Sequence, residues 1–90
     1  MKSRYPKYTL KGWRLLISPN NWRPVEIYFR VVGHSIQLLG CDVFKDDMTY
    51  LGWVERDNIN IEVQHAMRKW MNTKKKDWQR IHADEGKSVH

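Results

Sequence analysis

Polar and apolar residues alternate most cleanly from Val25 to Val32. Val25, Ile27, Phe29 and Val31 fall on one side of an extended chain, and Glu26, Tyr28 and Arg30 on the other. The run is rich in β-branched and aromatic residues, which suit a pleated, half-buried surface. Gly33-His34-Ser35 separates it from a second apolar run, Ile36 to Phe44, so the pattern predicts a β-hairpin. Upstream, Tyr8 to Ser18 has the character of a first strand, yet neither of its faces is polar. Simple alternation sets Thr9, Lys11, Trp13, Leu15 and Ile17 against Tyr8, Leu10, Gly12, Arg14 and Leu16. A central position in the sheet, or a bulge at Gly12, would account for that mixture. Pro19 to Pro24 brackets two Asn with two Pro and predicts a turn.

After a polar turn at Lys45 to Met48, Thr49 to Val54 reads as a short fourth strand, followed by a loop from Glu55 to Asn58. The period then changes. Val63, Met67, Trp70, Met71, Trp78 and Ile81 recur every three or four residues, which predicts an amphipathic helix over 58–81. Asn58 or Asn60 would cap it, with Glu62 in the first turn and Lys74 to Lys76 late, where the helix dipole favours cations. Two details work against this span. Ile59 to Val63 also alternates like a strand, and Lys74 falls on the apolar stripe, where it must snorkel or mark the point at which the helix leaves the core.

The expected fold is α+β in the order β-β-β-β-α. An antiparallel sheet of three to four strands over 8–54 is followed by one long C-terminal helix on one face, with a flexible basic arm at 1–7 and a tail at 82–90. Ninety residues suffice for one small domain, and five Trp allow a small core to bury much area per residue. The single Cys41 excludes an internal disulfide, and no apolar run is long enough to cross a bilayer. With no apolar stretch behind the Met-Lys-Ser-Arg-Tyr-Pro start, the expected location is the cytoplasm.

Charge changes the picture more than composition does. The net charge is +6, and it is segregated along the chain. Residues 1–30 carry seven Lys or Arg against Glu26 alone, residues 31–57 carry net −3, and residues 58–90 carry net +3. Such segregation favours a polyanionic partner. The basic first third is interleaved with aromatics, which supplies cations for phosphates and rings for stacked bases. The residues singled out for nucleic-acid binding are Arg4, Lys7, Tyr8, Lys11, Trp13, Arg14, Arg23, Tyr28 and Arg30, with Lys74, Lys75 and Lys76 as a second ridge. Against this, Trp13 and Tyr28 could be ordinary packing residues, and the late lysines the solvated or membrane-facing side of a helix.

Other chemistry is weakly indicated. Asp42, Asp46, Asp47, Glu55 and Asp57 could hold Mg²⁺, but Asp46-Asp47 sits where turns favour Asp for conformational reasons. Glu62-x-x-His65 is half of a di-iron pattern without its second half. His34 could serve acid–base cleavage of RNA, yet no partner side chain can be named. No RNA-recognition octamer, KH loop or zinc-finger spacing is present. In element order alone, with no residue motif in common, the chain resembles the Whirly and transcriptional-coactivator type of single-stranded DNA binder. The expectation is therefore a non-enzymatic nucleic-acid-binding or regulatory protein that needs no cofactor and prefers single strands. It would be a homodimer if the uncovered sheet face pairs with a second copy. The alternative is a protein–protein interaction module or inhibitor using the same aromatic surface, since Trp, Tyr and Arg also dominate protein interfaces.

Overall fold

A computed structural model describes residues 6–81, so Arg4, most of the 1–7 arm and the 82–90 tail lie outside the described residues. Four antiparallel strands come first: β1 (Lys7–Ser18), β2 (Asn21–Val32), β3 (Ser35–Phe44) and β4 (Tyr50–Glu55). A 3-10 turn at Arg56–Asn58 leads to the helix α1 (Ile61–Thr73), and a second one at Lys75–Asp77 leads to a fifth strand, β5 (Gln79–Ile81). The sheet order is β4-β3-β2-β1-β5. The α+β arrangement is as the pattern predicts, with one strand more.

The hairpin of β2 and β3 forms the centre. Val25 pairs with Val43, Ile27 with Cys41, Phe29 with Leu38 and Val31 with Ile36, all on the side that faces the helix. Ile27, Phe29 and Cys41 are completely buried there. Burial pushes the Cys41 thiol up to about 11, as expected of a small core residue rather than a reactive one.

Gly12 supplies the bulge. Lys11 pairs with Glu26 and Trp13 with Val25, so Gly12 has no partner in β2. Its φ of +115° suits glycine alone. The extra residue reverses the alternation expected for the second half of the strand. Tyr8, Leu10, Trp13 and Leu15 face the helix side, while Lys7, Lys11, Arg14 and Leu16 share the open side with Arg30, Glu26, Pro24 and Trp22. The expected grouping of Lys11 with Trp13 and Leu15 is thus corrected by one inserted residue. The strand β2 also begins earlier than the Pro19 to Pro24 turn signal suggests, because only Pro19-Asn20 is needed to turn the chain and Asn20 takes φ 63°. Pro24 lies just beyond the β2–β3 register, where β2 has a single neighbour.

The helix is shorter than its apolar period. Asn60 is the cap, its side chain accepting from the Glu62 N–H at 2.8 Å, and Gln64 ties the first turns to Arg56 and Ile59 through their carbonyls. Met67 and Met71 are buried against the sheet, with Val63 and Trp70 partly so. The helix ends at Lys74, where four consecutive charged residues offer nothing to bury. Trp78 therefore does not extend the helix. The chain turns, and its indole packs on Phe29 (ring centroids 4.8 Å apart) and Tyr8 (5.2 Å) while donating to the Met71 carbonyl at 2.9 Å. That anchor sets Gln79–Ile81 beside Lys7–Thr9 as β5.

Phe29→Ala should cost about 3–5 kcal/mol, the range for truncating a buried aromatic in a packed core. Chemical denaturation measures this. A loss under about 1 kcal/mol would contradict the assignment of Phe29 to the centre of the core.

Candidate functional site

The β5–β1 pairing brings the two basic ends of the sequence to one edge of the sheet. Lys7 and Lys11 come from β1, and Lys74, Lys75, Lys76 and Arg80 from the helix end and β5; the carboxylate among them is Asp77. A groove of about 250 Å³ lies between β1, β5 and the helix end, lined by Thr9, Leu10, Lys11, Trp70, Lys74, Asp77 and Gln79. Trp70 is half-buried in it, and the Lys74 ammonium stands 6.0 Å from the Trp70 ring centroid, at the reach of a cation–π contact. Trp70 is tilted against Trp13, centroids 5.7 Å apart. Gly12 leaves room for this packing, since a Cβ there would come within 3.0 Å of the indole.

The other residues singled out from the sequence are dispersed. Tyr8 stacks on Phe29 and Trp13 leans on Trp70, so both rings belong to the helix side rather than to the open face. Arg23, opposite Leu15, is half-buried. Arg14 is on the open face but is engaged, 2.9 Å from Asp46. Tyr28 and Arg30 point away from the core, as the alternation predicts. Arg30 donates through Nε to the Gln37 side chain at 2.5 Å, and its cross-strand neighbour is Lys7.

Tyr28 stands in an acidic, aromatic setting. Glu26 and Asp42 are cross-strand partners beside it, and Trp53 meets its ring edge-on at 5.5 Å. Partial burial, then the Glu26 and Asp42 carboxylates, pushes the Tyr28 phenol well above the ordinary tyrosine range. Phosphates would meet those carboxylates at this position. Trp70 and Lys74 thus lie in the groove at the β1–β5 edge, while Tyr28 and Trp53 lie with Glu26 and Asp42 on the open face, where Lys7, Lys11, Arg14 and Arg30 lie toward β1.

Trp70 and Arg80 belong to the Arg68 to Arg80 run that could add a second phosphate-contacting ridge, though only Lys74 to Lys76 are singled out from it, and Asp42 figures only among five acidic residues that could hold Mg²⁺. Among the described residues, no three His, Cys, Asp or Glu side chains gather as a metal ion would require.

The Tyr28 environment has a pH consequence. Its folded pKa is raised, so the neutral phenol's contribution to stability is complete below the unfolded value of 10.0 and is lost as pH rises through the folded one. Urea midpoints measured from neutral into strong alkali should fall, and Tyr28→Phe should remove part of that fall. An unchanged pH profile in the variant would contradict the assignment.

No family model matches the chain, and neither a curated protein nor a solved structure does.

Proposed function

We propose that this protein is a small, non-enzymatic binder of single-stranded nucleic acid that uses the β1–β5 edge rather than the open sheet face. The observation that carries the reading is the groove lined by Lys11, Lys74 and the Trp70 ring, with the Lys74 ammonium near the ring. Cations along an edge neutralise successive phosphates and release their counterions. The part of the Trp70 ring left open in the groove offers a stacking surface to an unpaired base, which a paired base within a duplex could not use. Lys7, Lys75, Lys76 and Arg80 lie on β1, the turn after the helix and β5 and add positive charge to the same edge. Asp77, in the same groove, would repel a phosphate placed directly against it and so bias the strand toward the lysines.

No helix among the described residues is long and apolar enough to cross a membrane. The cytoplasm is the setting we infer, with DNA or RNA as the partner. Nothing in the edge geometry calls for a second copy, so the reading takes one chain per strand segment.

Fluorescence anisotropy with a labelled oligothymidylate at several salt concentrations tests this. The Lys11→Ala/Lys74→Ala double variant should bind more weakly, with a log–log salt slope shallower by about 0.7 per lysine removed. Tyr28→Ala should bind as the parent does. An unchanged slope in the double variant, or a large loss in Tyr28→Ala, would contradict the edge as the site.

A further inference from the structure

We propose that the β3–β4 part of the open face, together with the free edge of β4, receives a basic extended segment of a protein partner, seating an arginine or lysine side chain against Trp53, Tyr28 and Asp42. The first ground is charge. Glu26 and Asp42 are cross-strand partners, and Glu55 lies at the end of β4. Among the described residues ion pairs within 4.0 Å occur at Arg14–Asp46 and Arg56–Asp57, and none reaches Glu26, Asp42 or Glu55. Lys11 is the cross-strand neighbour of Glu26 on β1, while among the described residues no ion pair within 4.0 Å reaches Asp42 or Glu55.

The second ground is the aromatic frame around them. Tyr28 meets Trp53 edge-on, and Phe44 meets Tyr50 in the same manner at 5.7 Å. Trp53 and Tyr50 remain 40% and 55% exposed and so are open to a guest. The position of Trp53 is enforced. Its Nε1 donates to Glu55 at 2.9 Å, and it lies over Gly40, where a Cβ would come within 2.4 Å of the indole. The Asp42 carboxylate, after desolvation, raises the Tyr50 phenol, as it contributes to raising that of Tyr28. Ring faces and a carboxylate together attract an organic cation more strongly than either does alone, because the ring quadrupole and the charge act on the same guest.

The third ground is the edge itself. The strand β4 is outermost in the sheet, and Tyr50, Leu51 and Trp53 along it are exposed. Unpaired N–H and C=O groups on such an edge accept an added strand, whose alternate side chains then reach the face. An arginine on that strand would lie over Asp42 with its planar cation against the rings. The carboxylates repel phosphate, so this surface is separate from the edge proposed for nucleic acid.

A titration of the full ¹⁵N-labelled chain with a short capped peptide alternating valine and arginine tests this. The Trp53 indole N–H should shift saturably. Replacing each arginine by citrulline, which keeps the shape and removes the charge, should weaken binding about tenfold or more. Asp42→Asn should weaken the arginine peptide to a similar degree and leave oligothymidylate affinity unchanged. A lysine–valine peptide that shifts Trp53 also supports the proposal. It is overturned if Trp53 does not move at millimolar peptide, or if the citrulline peptide binds equally well. A Trp53 shift that appears on raising protein concentration without peptide would overturn it too, assigning the edge to a second copy.

Discussion

The Trp78 indole is the contact on which the arrangement of this protein depends. It follows a run of four charged residues that ends the helix, and it returns the chain to the core by packing on Phe29 and Tyr8 and donating to the Met71 carbonyl. Three residues of β5 could not hold an edge position unaided, since so short a ladder gains few hydrogen bonds for the backbone freedom it gives up. With Trp78 half-buried beside them, they pair with Lys7–Thr9. That pairing converts a segregation along the sequence into one in space. The basic first and last thirds meet at one edge, and the acidic middle third forms the other.

Two glycines refine the result. Gly12 adds one residue to β1, and its left-handed φ shifts Trp13 and Leu15 to the helix side and Arg14 to the open side, where Lys11 already lies. Without it, the alternation would place Trp13 beside Lys11 and leave the second half of the strand with its core residues facing solvent. Gly40 does the corresponding work in β3, where its missing Cβ is what lets Trp53 lie over the strand and reach Tyr28. Each aromatic platform rests on a glycine: Trp70 close to Gly12, Trp53 over Gly40.

Much of the fold is legible in the sequence because its signals are local. The alternation of Val25 to Val31 gives the inner face of β2, Asn60 and Glu62 give the helix start, and Gly12 gives the bulge as an alternative reading. What is not legible is what depends on chain return. Trp78 and Ile81 keep a helical spacing from Met71, so periodicity places them on the helix; the charged run at Lys74 to Asp77 is the counter-signal, and it decides. The fifth strand and the shared basic edge therefore escape a reading by period. The candidate site suffers from the same limit. Tyr28 and Arg30 are correctly placed on the face away from Phe29, yet the carboxylate of Asp42 beside Tyr28 depends on strand register, which alternation alone does not fix.

Nucleic acid is proposed to bind at the β1–β5 edge beside Trp70 and not beside Trp53 and Asp42. All five tryptophans lie within the described residues, and each contributes an indole N–H resonance that reports its own neighbourhood. The most direct measurement is a ¹H–¹⁵N correlation spectrum of the full chain during titration with oligothymidylate. The account predicts saturable shifts of the Trp70 indole and of the backbone amides of Lys11 and Lys74 to Lys76, with the Trp53 indole unmoved. Shifts centred on Trp53 and Tyr28, with Trp70 unmoved, would contradict it.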